Sequence, residues 1–202
     1  QDTPALYSLM NYAGLKLGTW HPIGGFGKVI DAMKKVCENN NVTFHFDSPV
    51  ERITVTGDYL DGIVVSGKKE YFDAVIASAD YHHVENVLLP ESYRNYNNEY
   101  WEKRTFAPSS LIYYLGTSKK IKSIGHHTLF FEEDLFQHSI EIYKDPKWPS
   151  NPLFYVCCSS RTDNMVAPEC HENLFLLMPL APGLEDNDGF RKKYFKIMIG
   201  RL

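Results

Sequence analysis

Apolar residues recur every three or four positions in several stretches of this chain, which is the spacing of one helix face. The clearest stretch follows the glycine-rich segment 24–27 and carries Phe26, Ile30, Met33 and Cys37. Further stretches of this kind are residues 3–17, 81–88, 132–143 and 190–198. Each predicts an amphipathic helix. Asp80 is a suitable N-cap for the helix at 81–88, and Asp186 or Asp188 for the last one.

Other stretches alternate between apolar and polar residues or form short apolar runs, which predicts strands. They are residues 42–46, 53–55, 63–65, 109–116, 128–131, 153–159 and 174–180. Turn residues at 57–58, 61–62 and 67–68 predict a small meander. Residues 74–77 are apolar on both faces, which is typical of a strand covered on both sides. The later strands, with helices between them, predict an antiparallel or mixed sheet covered on one side.

The predicted fold class is therefore α+β: a mixed or antiparallel sheet flanked by helices, plus a small β-rich segment. The 202 residues, 44% hydrophobic and 23% charged, fit a soluble globular chain of one domain or slightly more. A net charge of −4 argues against a general nucleic-acid-binding surface. Four cysteines without a Cys-x-x-Cys spacing predict reduced thiols in a cytoplasmic protein.

The glycine-rich segment Gly24-Gly25-Phe26-Gly27 precedes a helix, and such a loop can hold a phosphate at the helix N-terminus. Its spacing is neither the dinucleotide fingerprint nor the P-loop. A tight turn with close packing is therefore the favoured interpretation.

Two histidine pairs, His82-His83 and His126-His127, are the obvious candidates for metal ligands. Adjacent side chains on a helix diverge by about 100°, and no carboxylate or cysteine completes a familiar ligand spacing. We therefore predict no metal site. A Gly-x-Ser-x-Gly elbow is also absent, so hydrolase chemistry has no support.

One resemblance goes further than these patterns. The segment Trp20-His-Pro-Ile-Gly-Gly-Phe-Gly27, the helix and strand after it, Pro49-Val-Glu-Arg-Ile53 and Ala77-Ser-Ala-Asp80 together resemble the middle of a bacterial phytoene desaturase. That family belongs to the wider group of FAD-dependent amine oxidase-like flavoproteins.

The resemblance implies roles for particular residues. By similarity, Val50 lies beside the adenine of FAD, and Ala79 and Asp80 approach its dinucleotide region. Trp20, Tyr113 and Tyr114 are candidates for the lining of an apolar substrate tunnel, with plain core packing as the alternative for each. No catalytic acid or base is assigned.

The resemblance also implies a division of the chain. Residues 1–36 and 86–202 are expected to belong to a substrate-binding part, and residues 37–85 to the FAD-binding domain. The Gly-x-Gly-x-x-Gly unit that opens the family is not in this sequence. We therefore expect an incomplete flavoprotein, inactive alone, that self-associates through an exposed apolar seam.

The expected parent is an oxidoreductase that desaturates an extended apolar polyene. Its substrate is a small apolar molecule, so cytoplasmic localisation with peripheral membrane contact is expected, and nucleic acid is not an expected partner. The alternatives are another flavoprotein of the group, such as an amine oxidase or a carotenoid isomerase, and a non-catalytic domain that binds an apolar ligand or a protein.

Overall fold

The computed structural model describes residues 5–202, and its packing divides them into two units. The first unit holds the chain up to Asn40 together with Ala107–Leu202, and the second unit is Asn41–Phe106. Packing does not say what either unit binds. The assignment of residues 37–85 to a cofactor-binding part, and of 1–36 and 86–202 to a substrate-binding part, therefore stays a prediction.

Helices and strands both occur throughout the described chain. In order they are α1 (Ser8–Tyr12), α2 (Gly27–Asn39), β1 (Val50–Thr56), β2 (Tyr59–Val65), β3 (Lys68–Tyr71), α3 (Tyr81–His83), α4 (Asn98–Glu102), β4 (Ser109–Thr117), β5 (His127–Phe130), α5 (Leu135–Tyr143), β6 (Phe154–Cys157), β7 (Glu172–Leu180) and α6 (Asp188–Arg201). Within residues 5–202, none of the helices is long and apolar enough to cross a membrane.

The two helices predicted at the start of the chain are confirmed. A 3-10 turn at Ala5–Tyr7 and a π-helical turn at Ala13–Leu17 flank α1, and Gly18 ends this helical stretch with a φ of 84°. Residues 3 and 4 of the predicted helix lie outside the described residues. The second prediction corresponds to α2, none of whose residues is buried. The apolar face of α2 is therefore exposed.

The centre of the first unit is an antiparallel four-stranded sheet with the order β4-β7-β6-β5. Side chains alternate between its two faces, and those of Leu174, Leu176 and Met178 are buried on one face. They pack against Tyr194 and Met198 of α6, so this helix covers that side of the sheet. The predicted α+β class is confirmed, and of the two predicted kinds of sheet, antiparallel or mixed, this sheet is antiparallel.

The cap of α6 differs from the prediction. The side chain of Asn187, rather than that of Asp186 or Asp188, accepts a hydrogen bond from the backbone N–H of Phe190 at 3.0 Å. Asp186 instead pairs with Arg191. An amide and a carboxylate serve almost equally well as caps, so residue type alone could not select among three adjacent candidates.

The second unit contains the predicted meander, in which β1, β2 and β3 pair in sequence order. Asp80 caps α3, as predicted, because its Oδ1 accepts a hydrogen bond from the backbone N–H of His83 at 2.9 Å. A π-helical turn at Val84–Leu88 continues this helix. Its buried residues Val84 and Leu88 pack on Ile53 of the meander.

Two predicted strands of the second unit are wrong. Residues 42–46 and 74–77 form no ladder with another strand, and Ile76 is 96% exposed. A buried strand needs a neighbour on each side to satisfy its backbone N–H and C=O groups. These segments have no such neighbour within residues 5–202, so their apolar residues do not form sheet core.

Candidate functional site

The four-stranded sheet has a second face, directed away from α6, which we call the open face. Residues that pair across antiparallel strands point to the same side, so the register defines its rows. One row runs from Tyr114 through Phe175 and Cys157 to His127. The next row consists of Ile112, Leu177, Tyr155 and Leu129.

The open face is apolar and largely aromatic. The ring of Phe175 lies 5.4 Å from that of Tyr114 and 6.3 Å from that of Tyr155, between ring centroids. Tyr114 is 79% exposed and Leu129 is 60% exposed. Exposed aromatic and aliphatic side chains that form a continuous patch mark a binding surface more often than scattered ones do.

The structure separates the three residues predicted to line a substrate tunnel. Tyr114 lies on the open face, whereas its neighbour Tyr113 points to the α6 side, because successive residues of a strand face opposite ways. The Tyr113 hydroxyl donates a hydrogen bond to the carbonyl of Arg191 at 2.5 Å, and burial raises its pKa. Trp20 lies in a loop before α2 and is exposed. The two tyrosines therefore do not line one common surface.

A pocket of about 380 Å³ lies beside the open face, within the first unit; we call it the histidine pocket. Its lining residues are Thr19, Trp20, His21, Ile23, His126, His127 and Thr162. His127 belongs both to this pocket and to the open face. The pocket thus offers imidazole nitrogens at the edge of an otherwise apolar surface.

Asp163 fixes the loop that carries His21. Its buried carboxylate accepts hydrogen bonds from the backbone N–H of Gly24 at 2.6 Å and of Met165 at 2.9 Å, and lies 3.1 Å from Nε2 of His21. The hydrogen bond from Met165, followed by those from Gly24 and His21, holds the pKa of Asp163 below its usual range. The next N–H, that of Gly25, donates to the carbonyl of Pro22 at 2.9 Å, so the loop is the tight turn favoured from its sequence.

His126 and His127 are brought together by a local bend. His126 lies just before β5, where the strict alternation of a strand does not yet apply, and the two ring centroids are 4.4 Å apart. Nδ1 of His126 is 2.5 Å from Oγ1 of Thr162, and Nδ1 of His127 is 2.6 Å from the Tyr155 hydroxyl. Burial, and then the neighbouring His127 and His21, lower the pKa of His126.

Cys157 completes this group. It pairs with His127 across the ladder between β5 and β6, and donor atoms of His126, His127 and Cys157 all lie within 4.8 Å of one another. Burial, and then the neighbouring Cys157 thiol, raise the pKa of Tyr155. Sequence reasoning missed this group because thirty positions separate the cysteine from His127, and only strand pairing joins them.

The residues predicted to contact FAD lie in the second unit. Val50 begins β1, an edge strand of the meander, so one side of β1 has no strand partner within residues 5–202. Such a backbone edge fits the predicted pairing with adenine. Asp80 already uses its carboxylate to cap α3, and Ala79 is exposed beside it. The roles of Val50, Ala79 and Asp80 toward FAD therefore stay predictions, and the sequence has no glycine-rich fingerprint for the pyrophosphate.

Comparison with known proteins agrees with the resemblance seen in the sequence. The family model described as flavin containing amine oxidoreductase matches residues 1–176. The chain is 40% identical to a carotenoid 3,4-desaturase of Haloarcula japonica over 194 residues, which cover 96% of this chain and 39% of that protein. It is 33% identical to a phytoene desaturase of Fusarium fujikuroi, over 93% of this chain and 33% of that protein.

A third relative is the zeta-carotene-forming phytoene desaturase of Myxococcus xanthus, which is 30% identical over 88% of this chain and 34% of that protein. The chain thus spans between 33% and 39% of the length of these three relatives. The family match extends over most of the 202 residues. The chain therefore belongs to the family of flavin containing amine oxidoreductases.

Proposed function

We propose that this chain is part of an FAD-dependent oxidoreductase that desaturates an extended apolar polyene, and that the open face forms one wall of the substrate site. The observation that carries the proposal is the pair of rows on the open face, which present Tyr114, Phe175, Tyr155, Leu177 and Leu129 on one surface. The three relatives, a carotenoid 3,4-desaturase and two phytoene desaturases, support the substrate class.

The dimensions and chemistry of this face suit such a ligand. Four strands about 4.8 Å apart give rows roughly 14 Å long, so a stiff linear chain can lie across all of them. A polyene offers no hydrogen-bonding groups, and its binding depends on apolar area and on contact with aromatic rings. The aromatic rows provide both, while the histidine pocket marks the polar end of the surface.

The fragment contributes orientation and exclusion of water rather than redox chemistry. The two-electron oxidation, in which the substrate loses a hydride and a proton as a new double bond forms, would be supplied by FAD as the hydride acceptor. In this chain, the free edge of β1 at Val50 would hold the adenine, and Ala79 and Asp80 would lie near the dinucleotide. The open face would keep the polyene in an extended conformation and exclude water from it. Of the predicted lining residues, we retain Tyr114 and Trp20, and Tyr113 supports the sheet from its other side.

We propose that the isolated chain is inactive and self-associates. It has no dinucleotide fingerprint, and none of the residues of α2, including its apolar ones, is buried. Exposed apolar surface of this extent drives association. Purified chain is expected to carry no flavin absorbance and to sediment as an oligomer. Stoichiometric flavin in the purified chain would contradict the first expectation, and a monomer at all concentrations the second.

The function is tested with the whole gene that contains this chain, expressed in cells that accumulate phytoene. We expect chromatography to show products with additional conjugated double bonds, and Tyr114→Ser to reduce their formation severalfold. Tyr59→Ser is the matched control, because Tyr59 is 80% exposed but lies in the meander. Oxidation of a primary amine without polyene products, or equal losses in the two variants, would overturn the proposal.

A lipid-soluble substrate also leads us to propose a cytoplasmic enzyme that contacts a membrane surface peripherally. We expect the whole protein to co-sediment with phospholipid vesicles that contain a polyene. Failure to bind any vesicle while remaining active on dispersed substrate would contradict peripheral contact.

A further inference from the structure

Three metal-ligating side chains converge at the edge of the open face, where none was expected from the sequence. His126, His127 and Cys157 each place one donor atom within 4.8 Å of the others. Imidazole nitrogen and thiolate sulfur are the ligands that zinc and its transition-metal neighbours prefer over carboxylate-loving calcium or magnesium. The composition of the group therefore selects a class of ion.

Each imidazole is oriented by a hydroxyl group. The Nδ1 atom of His126 contacts Thr162 at 2.5 Å, and that of His127 contacts Tyr155 at 2.6 Å. In metal sites, histidine ligands commonly bind an outer partner through one ring nitrogen, which fixes the ring and leaves the other nitrogen for the ion. With Nε2 of each ring as the ligand atom, the hydroxyls of Thr162 and Tyr155 act as such partners at Nδ1.

The surroundings leave room for an exchangeable ligand. The histidine pocket, about 380 Å³ in volume, contains both imidazoles in its lining. A third imidazole, that of His21, lies 5.1 Å from the ring of His126 and is held by the buried carboxylate of Asp163. Three protein ligands beside an accessible space are the arrangement of metal sites that keep one position for water or substrate.

We propose that His126, His127 and Cys157 bind one transition-metal ion of the zinc class, with the fourth position open to the histidine pocket. The proposal goes beyond the desaturase function and replaces the sequence-based prediction of no metal site. That prediction assumed a helical placement for adjacent histidines, whereas this pair lies at the start of β5. It also found no cysteine at a familiar spacing, and β6 supplies one through the ladder.

The donor atoms of His126, His127 and Cys157 must come closer together when an ion binds. Tetrahedral zinc with ordinary bond lengths separates its nitrogen and sulfur ligands by about 3.4–3.6 Å. The present limit of 4.8 Å is about one ångström too wide, so the three donor atoms would move closer by about that distance when an ion binds. Cys157 binds as the thiolate, so one proton leaves the protein for each ion bound, and both imidazoles bind in their neutral form.

Titration of the full chain with Zn²⁺ and Co²⁺, without flavin or polyene, tests the proposal independently of the desaturase function. We expect one ion per chain by calorimetry, release of a proton, and a thiolate-to-cobalt absorption band. Cys157→Ser is expected to remove this band and to weaken Zn²⁺ binding at least about 100-fold, the upper end of the effect of an outer partner. Thr162→Val is expected to weaken binding about tenfold, because it removes only an outer partner.

Cys170→Ser and His83→Asn are the controls, since both residues are exposed and outside the group. Each control is expected to leave Zn²⁺ affinity unchanged, and circular dichroism checks that all variants fold. A cobalt–thiolate band that survives in Cys157→Ser would overturn the proposal. So would the absence of saturable binding in the folded chain, or an equal loss of affinity in His83→Asn, which would indicate adventitious binding to surface histidines.

Discussion

Leu176→Ala and Leu129→Ala remove the same atoms from the same sheet, but on opposite faces. Leu176 is fully buried at the centre of β7, whereas Leu129 is 60% exposed on the open face. A fully buried leucine leaves a cavity when truncated, so Leu176→Ala is expected to lower the free energy of unfolding by about 3–4 kcal/mol. Only roughly two-fifths of the Leu129 side chain is covered, and solvent fills the space left by truncation. Leu129→Ala is therefore expected to lower the free energy of unfolding by about 0.8 kcal/mol.

Urea unfolding with hydrogen-exchange mass spectrometry on peptides from β4 and β7 measures both effects within the first unit. With a slope of about 2 kcal/mol per molar urea, the midpoint falls by about 1.5–2 M for Leu176→Ala and about 0.4 M for Leu129→Ala. The same variants are then titrated with a fluorescent conjugated fatty acid as a polyene probe. We expect Leu129→Ala to bind it several times more weakly despite its near-normal stability.

Comparing these two variants tests whether the open face is a binding surface or a second buried face of the sheet. If Leu129→Ala destabilised the sheet as much as Leu176→Ala, the open face would be covered within the chain, and the reasoning about its exposure would fail. If Leu129→Ala were stable and bound the probe normally, the open face would not be the wall we propose.

Three further predictions concern the two units separately. A Cβ added at Gly62, where φ is 152°, would lie 1.9 Å from the carbonyl oxygen of Glu70. Gly62→Ala is therefore expected to lower the free energy of unfolding in urea by at least about 2 kcal/mol. Gly57→Ala, with open space around the added Cβ, is expected to lower it by about 1 kcal/mol. Hydrogen bonds, chiefly from Lys69, lower the pKa of Asp61 from 3.8 to about 2. The ionised Asp61 therefore stabilises the folded state above the pKa of the unfolded chain, and this stabilisation is lost as the pH falls from about 4 to 2. Asp61→Asn should make the free energy of unfolding less dependent on pH in that window. Asn187→Ala is expected to destabilise α6 by about 1 kcal/mol in thermal unfolding, whereas Asn187→Asp should be nearly neutral; equal losses would exclude the capping role.

Local signals along the sequence were enough for most of the elements. Asp80 was recognised as a cap because a short carboxylate next to a helix start can accept the otherwise unpaired backbone N–H groups, and the structure shows this bond. The short apolar run at residues 174–180 predicted a strand, and β7 is the strand that joins β4 to β6 in the sheet. These features depend on neighbours within a few residues.

Strands without partners show where local signals fail. Residues 74–77 have the apolar pattern of a covered strand, yet Ile76 is almost fully exposed, because burial requires other segments that a short window does not reveal. The choice of Asn187 over Asp186 and Asp188 likewise depended on the path of the loop before α6. The opposite placements of Tyr113 and Tyr114 followed from alternation, but which side is open was decided by where α6 packs.

The sequence by itself determined the family resemblance, most of the helices and strands, and a sheet, antiparallel or mixed, covered on one side, since motifs and periodicity are properties of neighbouring residues. Only the tertiary structure decided the site. Pairing of β5 with β6 places Cys157 opposite His127, and Asp163 reaches back to His21 and Gly24 across a large separation in the chain. Such contacts are fixed by sheet register and packing. Because their free energies are summed over the whole fold, no short stretch of sequence predicts them.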